Sequence, residues 1–179
     1  RGNSIMNFEK FTIKSQEALQ KSAEITTGLQ QQAIEPGHLL KAILDTDESV
    51  SDYLLKKSGV NESVLSAKLE DLVQSYARVC GQQPYLSAAT NSVLQQAEKE
   101  LRELKDEFIS IEHLLLALAQ SKDKAGQLLK DSGVSRGALL KAIQELRGGA
   151  RVTDQNAEAK YKSLERYSKN LNDLAKQGK

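Results

Sequence analysis

The chain has few materials besides aliphatic and charged residues. Aromatics make up 4% of its 179 residues, Trp is absent, and there are one Cys and two Pro. The lone Cys80 excludes an intramolecular disulfide and a cysteine-based zinc site, and it favours a reducing compartment. So little Pro leaves long stretches free of helix breakers. No apolar run approaches the roughly 20 residues that span a bilayer, and no signal-peptide pattern opens the chain. A formal net charge of +1 provides no electrostatic footprint for nucleic acid or an anionic membrane, so neither is expected as a partner. Residues 1–150 carry 18 Lys/Arg against 20 Asp/Glu, and residues 151–179 carry 7 against 4. A monomeric, cytoplasmic protein is the expectation.

Hydrophobic residues make up 39%, mostly Leu, Ile, Val and Ala, which suits packed helices. Much of the sequence occurs twice. Ile34-Glu35-Pro36-Gly37-His38-Leu39-Leu40 is echoed by Ile109-Ser110-Ile111-Glu112-His113-Leu114-Leu115, with the histidines 75 positions apart (113 − 38). Phe11-Thr12 returns as Leu86-Ser87, and Ser58-Gly59-Val60 as Ser132-Gly133-Val134. Self-similarity on this scale implies two related units. Thr12, Asn61, Ser110 and Ser135 read as helix N-caps. Pro36 suits a first helical turn, and the two Ser-Gly-Val stretches read as helix stops in which Gly turns left-handed and Val packs back.

No alternating strand pattern is present. The expectation is an all-α fold of about eight helices: two pseudo-repeated four-helix units, about 8–76 and 85–147, packed into one globular domain over 6–149. Residues 1–5 are set aside as a cloning remnant. Residues 150–160 are polar and aperiodic, the composition of a flexible linker. Tyr161, Leu164, Tyr167, Leu171 and Leu174 then form one apolar stripe over 161–179, an amphipathic helix in need of a partner.

The Phe11-Thr12 start, the two Ile-x-x-x-His-Leu-Leu helices and the two Ser-Gly-Val stops resemble the Clp N-terminal domain, a tandem repeat at the front of Clp-type AAA+ unfoldases. The match covers about Phe8 to Arg147. Leu146-Arg147-Gly148-Gly149, followed by Val152, Asp154-Gln155, Ala157-Glu158, Tyr161, Leu164 and Tyr167, resembles the linker of the ClpB-type disaggregases as it runs toward a first nucleotide-binding domain. The resemblance implies a module that binds unfolded or aggregated polypeptides weakly and delivers them to an ATPase ring. It implies a homohexameric parent that cooperates with a DnaK-type chaperone. ATP and Mg²⁺ would belong to AAA+ domains beyond residue 179. Docking of an adaptor, in an unfoldase paired with a protease, is the alternative.

For the chain itself no catalysis and no cofactor are expected. A P-loop needs Gly-x-x-x-x-Gly-Lys-Ser/Thr, and the lone Gly178-Lys179 has Asp173 where the first Gly belongs. His38 and His113 occupy equivalent repeat positions, so duplication accounts for the pair without acid–base or metal chemistry. Cys80 has no nucleophile motif around it. The acidic set Glu103, Asp106, Glu107 and Glu112 reads equally as solvated helix ends. From the resemblance, Thr12, Asp106 and Glu112 are the expected substrate-handling groups, on the rim of a shallow groove walled by Leu94, Leu101 and Ile111. Gln96 and Glu100 depart from the family pattern, standing where relatives place aliphatic residues.

Overall fold

The structure, a computed structural model, describes residues 8–47, 49–79, 81–159 and 161. Cys80, and all of the expected terminal helix after Tyr161, lie outside them. The described residues form a short 3-10 turn, Phe8–Lys10, and eight α-helices. These are α1 (Ile13–Gly28), α2 (Pro36–Thr46), α3 (Val50–Lys57), α4 (Glu62–Gln74), α5 (Ala88–Glu103), α6 (Ile111–Ala119), α7 (Lys124–Asp131) and α8 (Arg136–Arg147). Two two-residue strands, β1 (Ala33–Ile34) and β2 (Tyr85–Leu86), complete the set. The expected all-α fold is the one observed.

Local chemistry places the helix ends where the sequence signals them. Thr12, Asn61, Ser87 and Ser135 each accept a first-turn backbone N–H through the side chain. At both Ser-Gly-Val stops Gly is left-handed, with φ of +81° at Gly59 and +100° at Gly133. Val60 and Val134 donate back to the carbonyls of Leu55 and Leu129 and are buried. A second pair of stops carries no sequence signal. Gln30 and Lys105, 75 positions apart, are left-handed without being Gly (φ +59° and +58°). Each heads the same closure, in which Gln31 N–H reaches the Thr26 carbonyl and Asp106 N–H reaches that of Leu101. The duplication has therefore preserved a strained backbone.

The two units interlock. Ile34 of the first pairs in parallel with Leu86, which leads into the second, and Phe11, which leads into the first, bridges to Ile109 of the second. The helices exchange in the same way: α3 packs on α8, and α4 on α7. At the centre lie α2 and α6; Ile111 to Leu118 are all buried. Neither repeat closes its core alone.

Residues 150–159 are not the expected flexible linker. Gly148 (φ +58°) and Gly149 (φ +92°) reverse the chain after α8, which lays the following residues back across the domain. Val152 (0% exposed), Ala157, Glu158 and Tyr161 are buried there. Val152 joins the ladder through its carbonyl, which accepts from Glu107 N–H at 2.8 Å, and Gln155 C=O accepts from Ile13 N–H at 2.8 Å. Residues 150–159 thus form a strap, and Tyr161 is buried with it.

Three glycine substitutions separate backbone strain from space. Gly59→Ala should lower the unfolding free energy by about 1–2 kcal/mol, because the left-handed conformation is retained. Gly126→Ala should cost more, since a Cβ there would overlap the Ser121 carbonyl. Gly137→Ala, on the open face of α8, should gain a few tenths to about 1 kcal/mol in helix propensity. Urea denaturation of the three variants checks the order; Gly126→Ala matching Gly137→Ala would refute the packing.

Candidate functional site

Helix N-termini meet in two separate pairs where the repeats join, α1 with α6 and α2 with α5. Each presents orphan amides that burial makes costly to leave unpaired. In both repeats a histidine at the third helical position answers one of them. His38 Nδ1 accepts from Glu35 N–H at 2.9 Å, and His113 Nδ1 accepts from Ser110 N–H at 2.8 Å. The ring proton is then on Nε2, which donates to Gln31 Oε1 at 2.6 Å in the first repeat and to Asp106 Oδ2 at 2.7 Å in the second. Burial lowers the His38 pKa to about 4, so it remains neutral. The expectation that the histidines mark duplication and not chemistry fits this geometry.

The copies then diverge. In the first, the partner at position 31 is an uncharged amide, and Gly37 follows the helix start; a Cβ there would strike Tyr76 Oη. In the second, the equivalents are the carboxylates Asp106 and Glu112 (106 − 31 and 112 − 37 both give 75). Arg147, from the last turn of α8, supplies the countercharge. Its Nε donates to Glu112 Oε2 at 3.1 Å, and its Nη1 lies 3.1 Å from Asp106 Oδ2. Both carboxylates are fully buried as side chains. Burial raises the Asp106 pKa, but His113, the Val152 amide and Arg147 outweigh it and hold the carboxyl below its ordinary value.

The strap adds a third carboxylate. Glu158 Oε2 accepts from Thr12 Oγ1 at 2.8 Å and from Ile111 N–H at 2.9 Å, so it caps α1 and α6 together. Val152 N–H donates to Asp106 Oδ1 at 2.9 Å. A third carboxylate thus lies beside the two that Arg147 pairs. Glu112 Oε1, Glu158 Oε1, Arg147 Nη2 and Tyr161 Oη have no hydrogen-bond partner among the described residues. Burial, then the neighbouring charge of Glu112, push the Glu158 pKa up to about 7.

Thr12, Asp106 and Glu112 therefore do converge, as the family pattern suggested, but in a buried cluster beneath the strap and not on an open rim. Leu94 and Ile111 are core residues, and Leu101 is half-buried against the core. None of the three lines either of two grooves on the surface of the described residues. One groove, of about 460 Å³, has Leu104, Leu140 and Ile143 among its lining, with Arg136, Gln144 and Arg151 around them. The other, of about 330 Å³, includes Val93, Gln96, Ala117 and Gln120. Arg136 forks onto the buried carboxylate of Glu100, at 2.9 Å through Nε and 2.8 Å through Nη2, and also meets Glu103 at 2.8 Å. Gln96 and Gln120 complete the shell around Glu100. Among the described residues no group of three or more His, Cys, Asp or Glu is arranged to hold a metal ion, and none of the helices is long and apolar enough to cross a membrane.

The sequence reading missed Glu158, Arg147 and Val152 as members of the site. The one signal available was Val152, an apolar residue just past a glycine pair in an otherwise polar stretch.

The Glu158 carboxyl is shifted upward in the docked strap. Its contribution to docking is therefore fully present below the ordinary Glu value and lost as pH rises through about 7. The cluster around it holds Glu112, Asp106, Arg147, His113 and Tyr161. Amide exchange at Ile13 and Glu107, corrected for intrinsic rates, should show the strap loosening between about pH 5 and 8. Glu158→Gln should flatten that trend; an unchanged slope in the variant would overturn the assignment to Glu158.

Comparison with known proteins matches residues 10–132 to the family model described as the Clp repeat (R) N-terminal domain. Chaperone protein ClpB of Porphyromonas gingivalis is 46% identical over 174 residues, 97% of this chain but 20% of that protein. ClpB of Bacteroides thetaiotaomicron is 43% identical over the same share of each. Among solved structures, the Hsp104 N-terminal domain from Candida albicans aligns with a TM-score of 0.73 at 21% identity, covering 83% of this chain and 98% of that one. The chain spans about one fifth of the length of its ClpB relatives. It belongs to the Clp repeat N-terminal domain family.

Proposed function

We propose that this domain captures exposed hydrophobic segments of unfolded or aggregated polypeptides and passes them to the ATPase ring of its parent disaggregase. The observation that carries the reading is the pair of shallow grooves beside α5. In the larger, Leu104, Leu140 and Ile143 supply apolar surface, while Arg136, Gln144 and Arg151 supply hydrogen-bonding groups. An unfolded segment presents aliphatic side chains and unpaired amides together, and such a lining answers both with little demand on sequence. A peptide complex of a ClpV N-domain, a protein of the same fold, is consistent with this use of the scaffold. Weak capture suits the role, since a tight hold would oppose threading. ATP and Mg²⁺ would act in AAA+ domains outside this sequence, in a hexameric parent working with a DnaK-type partner in the cytoplasm. The domain itself is read as non-catalytic.

The Glu100–Arg136 pair places charge beside both grooves. In an NMR titration with a permanently unfolded polypeptide, resonances lining the grooves, such as Gln96, Leu140 and Ile143, should shift. Gln96→Leu, which enlarges the apolar lining of the smaller groove, should tighten binding several-fold, because added apolar area is worth about 25 cal/mol per Å² buried. Shifts confined to faces away from α5, or none at saturating ligand, would reject the proposal. ATP turnover by the pure chain should be absent.

A further inference from the structure

The larger groove is walled by three separated parts of the chain. One wall is α8, with Leu140 and Ile143, and another is Leu104 at the end of α5. The third is Gly149, Ala150 and Arg151, where the chain turns off α8 into the strap. These three residues are exposed, and their position is set from both ends. Ala150 N–H donates to the Arg147 carbonyl at 3.2 Å, while buried Val152 pins the strap through its hydrogen bonds to Asp106 and Glu107. Beyond Val152 the chain bends and turns through 154–156 and enters a helical turn at Ala157, which brings Glu158 to Thr12. The third wall is therefore present only while the strap is docked.

We infer that docking of the strap completes the larger groove, so that capture of a segment and closure of the strap are one coupled equilibrium, and that the segment favoured there carries a carboxylate beside aliphatic side chains. This rests on the proposed function and adds to it a regulation and a substrate class. The carboxylate follows from charge. Arg136 is paired with Glu100 and Glu103, and Arg147 with Asp106 and Glu112. Arg151, which the strap brings to the groove, has no hydrogen bond or ion pair among the described residues. An Asp or Glu in the bound segment supplies its partner, and an exposed pair of this kind selects by a modest factor.

The strap is held by opposing contributions, which leaves its position open to bias. Burial of Val152 and Ala157 favours docking. Against it, docking sets Glu158 beside Glu112, whose charge opposes its own, and leaves Glu158 Oε1 without a hydrogen-bond partner among the described residues. A segment in the groove touches Gly149 to Arg151 in the docked form and loses that wall in the open one. Binding therefore favours docking, and docking favours binding by the same factor. Release of the strap instead frees about ten residues, a reach of roughly 35 Å at 3.3–3.6 Å per residue. An empty domain would range on a longer tether, and a loaded one would be held on a shorter one.

The test uses the full 179-residue chain and two fluorescein-labelled peptides, both leucine–serine repeats, one with a central glutamate and one with a central lysine. Saturating glutamate peptide should shift the resonances of Leu140 and Ile143 and slow amide exchange at Ile13 and Glu107 several-fold, although neither amide lines the groove. Val152→Asp and, separately, Ala157→Asp should speed exchange at those two amides and weaken binding roughly fivefold, because the competent form is then less populated. Neither residue lines the groove, and circular dichroism should be unchanged. Should either variant fail to fold, exchange in the unsubstituted chain decides alone. Arg151→Ala should keep the strap closed and lose the preference for glutamate over lysine. Shifts at Leu140 and Ile143 with exchange unaltered, or equal affinity in the opened chains, overturn the coupling and leave the proposed function standing. A glutamate preference that survives Arg151→Ala overturns the substrate class. No shift in either groove rejects the proposed function itself, and this inference with it.

Discussion

The fold rests on the need to satisfy buried helix N-termini. Bringing the N-terminus of α1 against that of α6, and that of α2 against that of α5, buries backbone donors that no helix can pair internally. The protein meets this with side-chain caps from Thr12 and Ser87, with back-bonding from His38 and His113, and with parallel bridges that pass donors and acceptors between repeats. Each device appears twice because the repeat appears twice. An aliphatic core of this size could be assembled in many arrangements, and these polar obligations select one of them.

Duplication then allowed one copy to change. Gln31 and Gly37 give the first repeat a neutral, closely packed helix start against Tyr76. Their counterparts Asp106 and Glu112 make the second acidic, and that charge in turn requires Arg147 and receives the strap. The divergence converts a structural cap into a place where a polypeptide segment can be held. Beside α5, Glu100 and Arg136 likewise form an ion pair, with Arg136 lining one of the grooves. On both surfaces ionic groups moderate what would otherwise be apolar contacts, as the proposed weak capture requires.

Much of this was legible in the sequence, and the limits have physical reasons. The helices, most of their caps and the Ser-Gly-Val stops follow from periodicity and turn chemistry, which act locally. The repeat revealed the equivalence of the two histidines and singled out Gly37 against Glu112. The interlocking of the repeats was hidden, since α3 on α8 and α4 on α7 are long-range choices that leave periodicity unchanged. The left-handed Gln30 and Lys105 were hidden too, because neither is Gly or Asn. The strap was misread for a related reason. Its burial depends on a handful of contacts in a polar stretch, and composition averages over exactly the residues, Val152, Ala157 and Glu158, that make them. Thr12, Asp106 and Glu112 lie near one another in the structure, yet their depth could not be known without the segment above them.

The exchange between repeats bears on how the chain is made. While only the first 76 residues have left a ribosome, Ile34 has no Leu86 to pair with, Phe11 has no Ile109, and α3 has no α8 to cover it. The remaining core arrives about 70 residues later. At roughly 5–20 residues per second this leaves the first repeat incomplete for several seconds, with an aliphatic face open to other chains. A domain read here as a receptor for unfinished proteins thus passes through the same exposed condition each time it is synthesised.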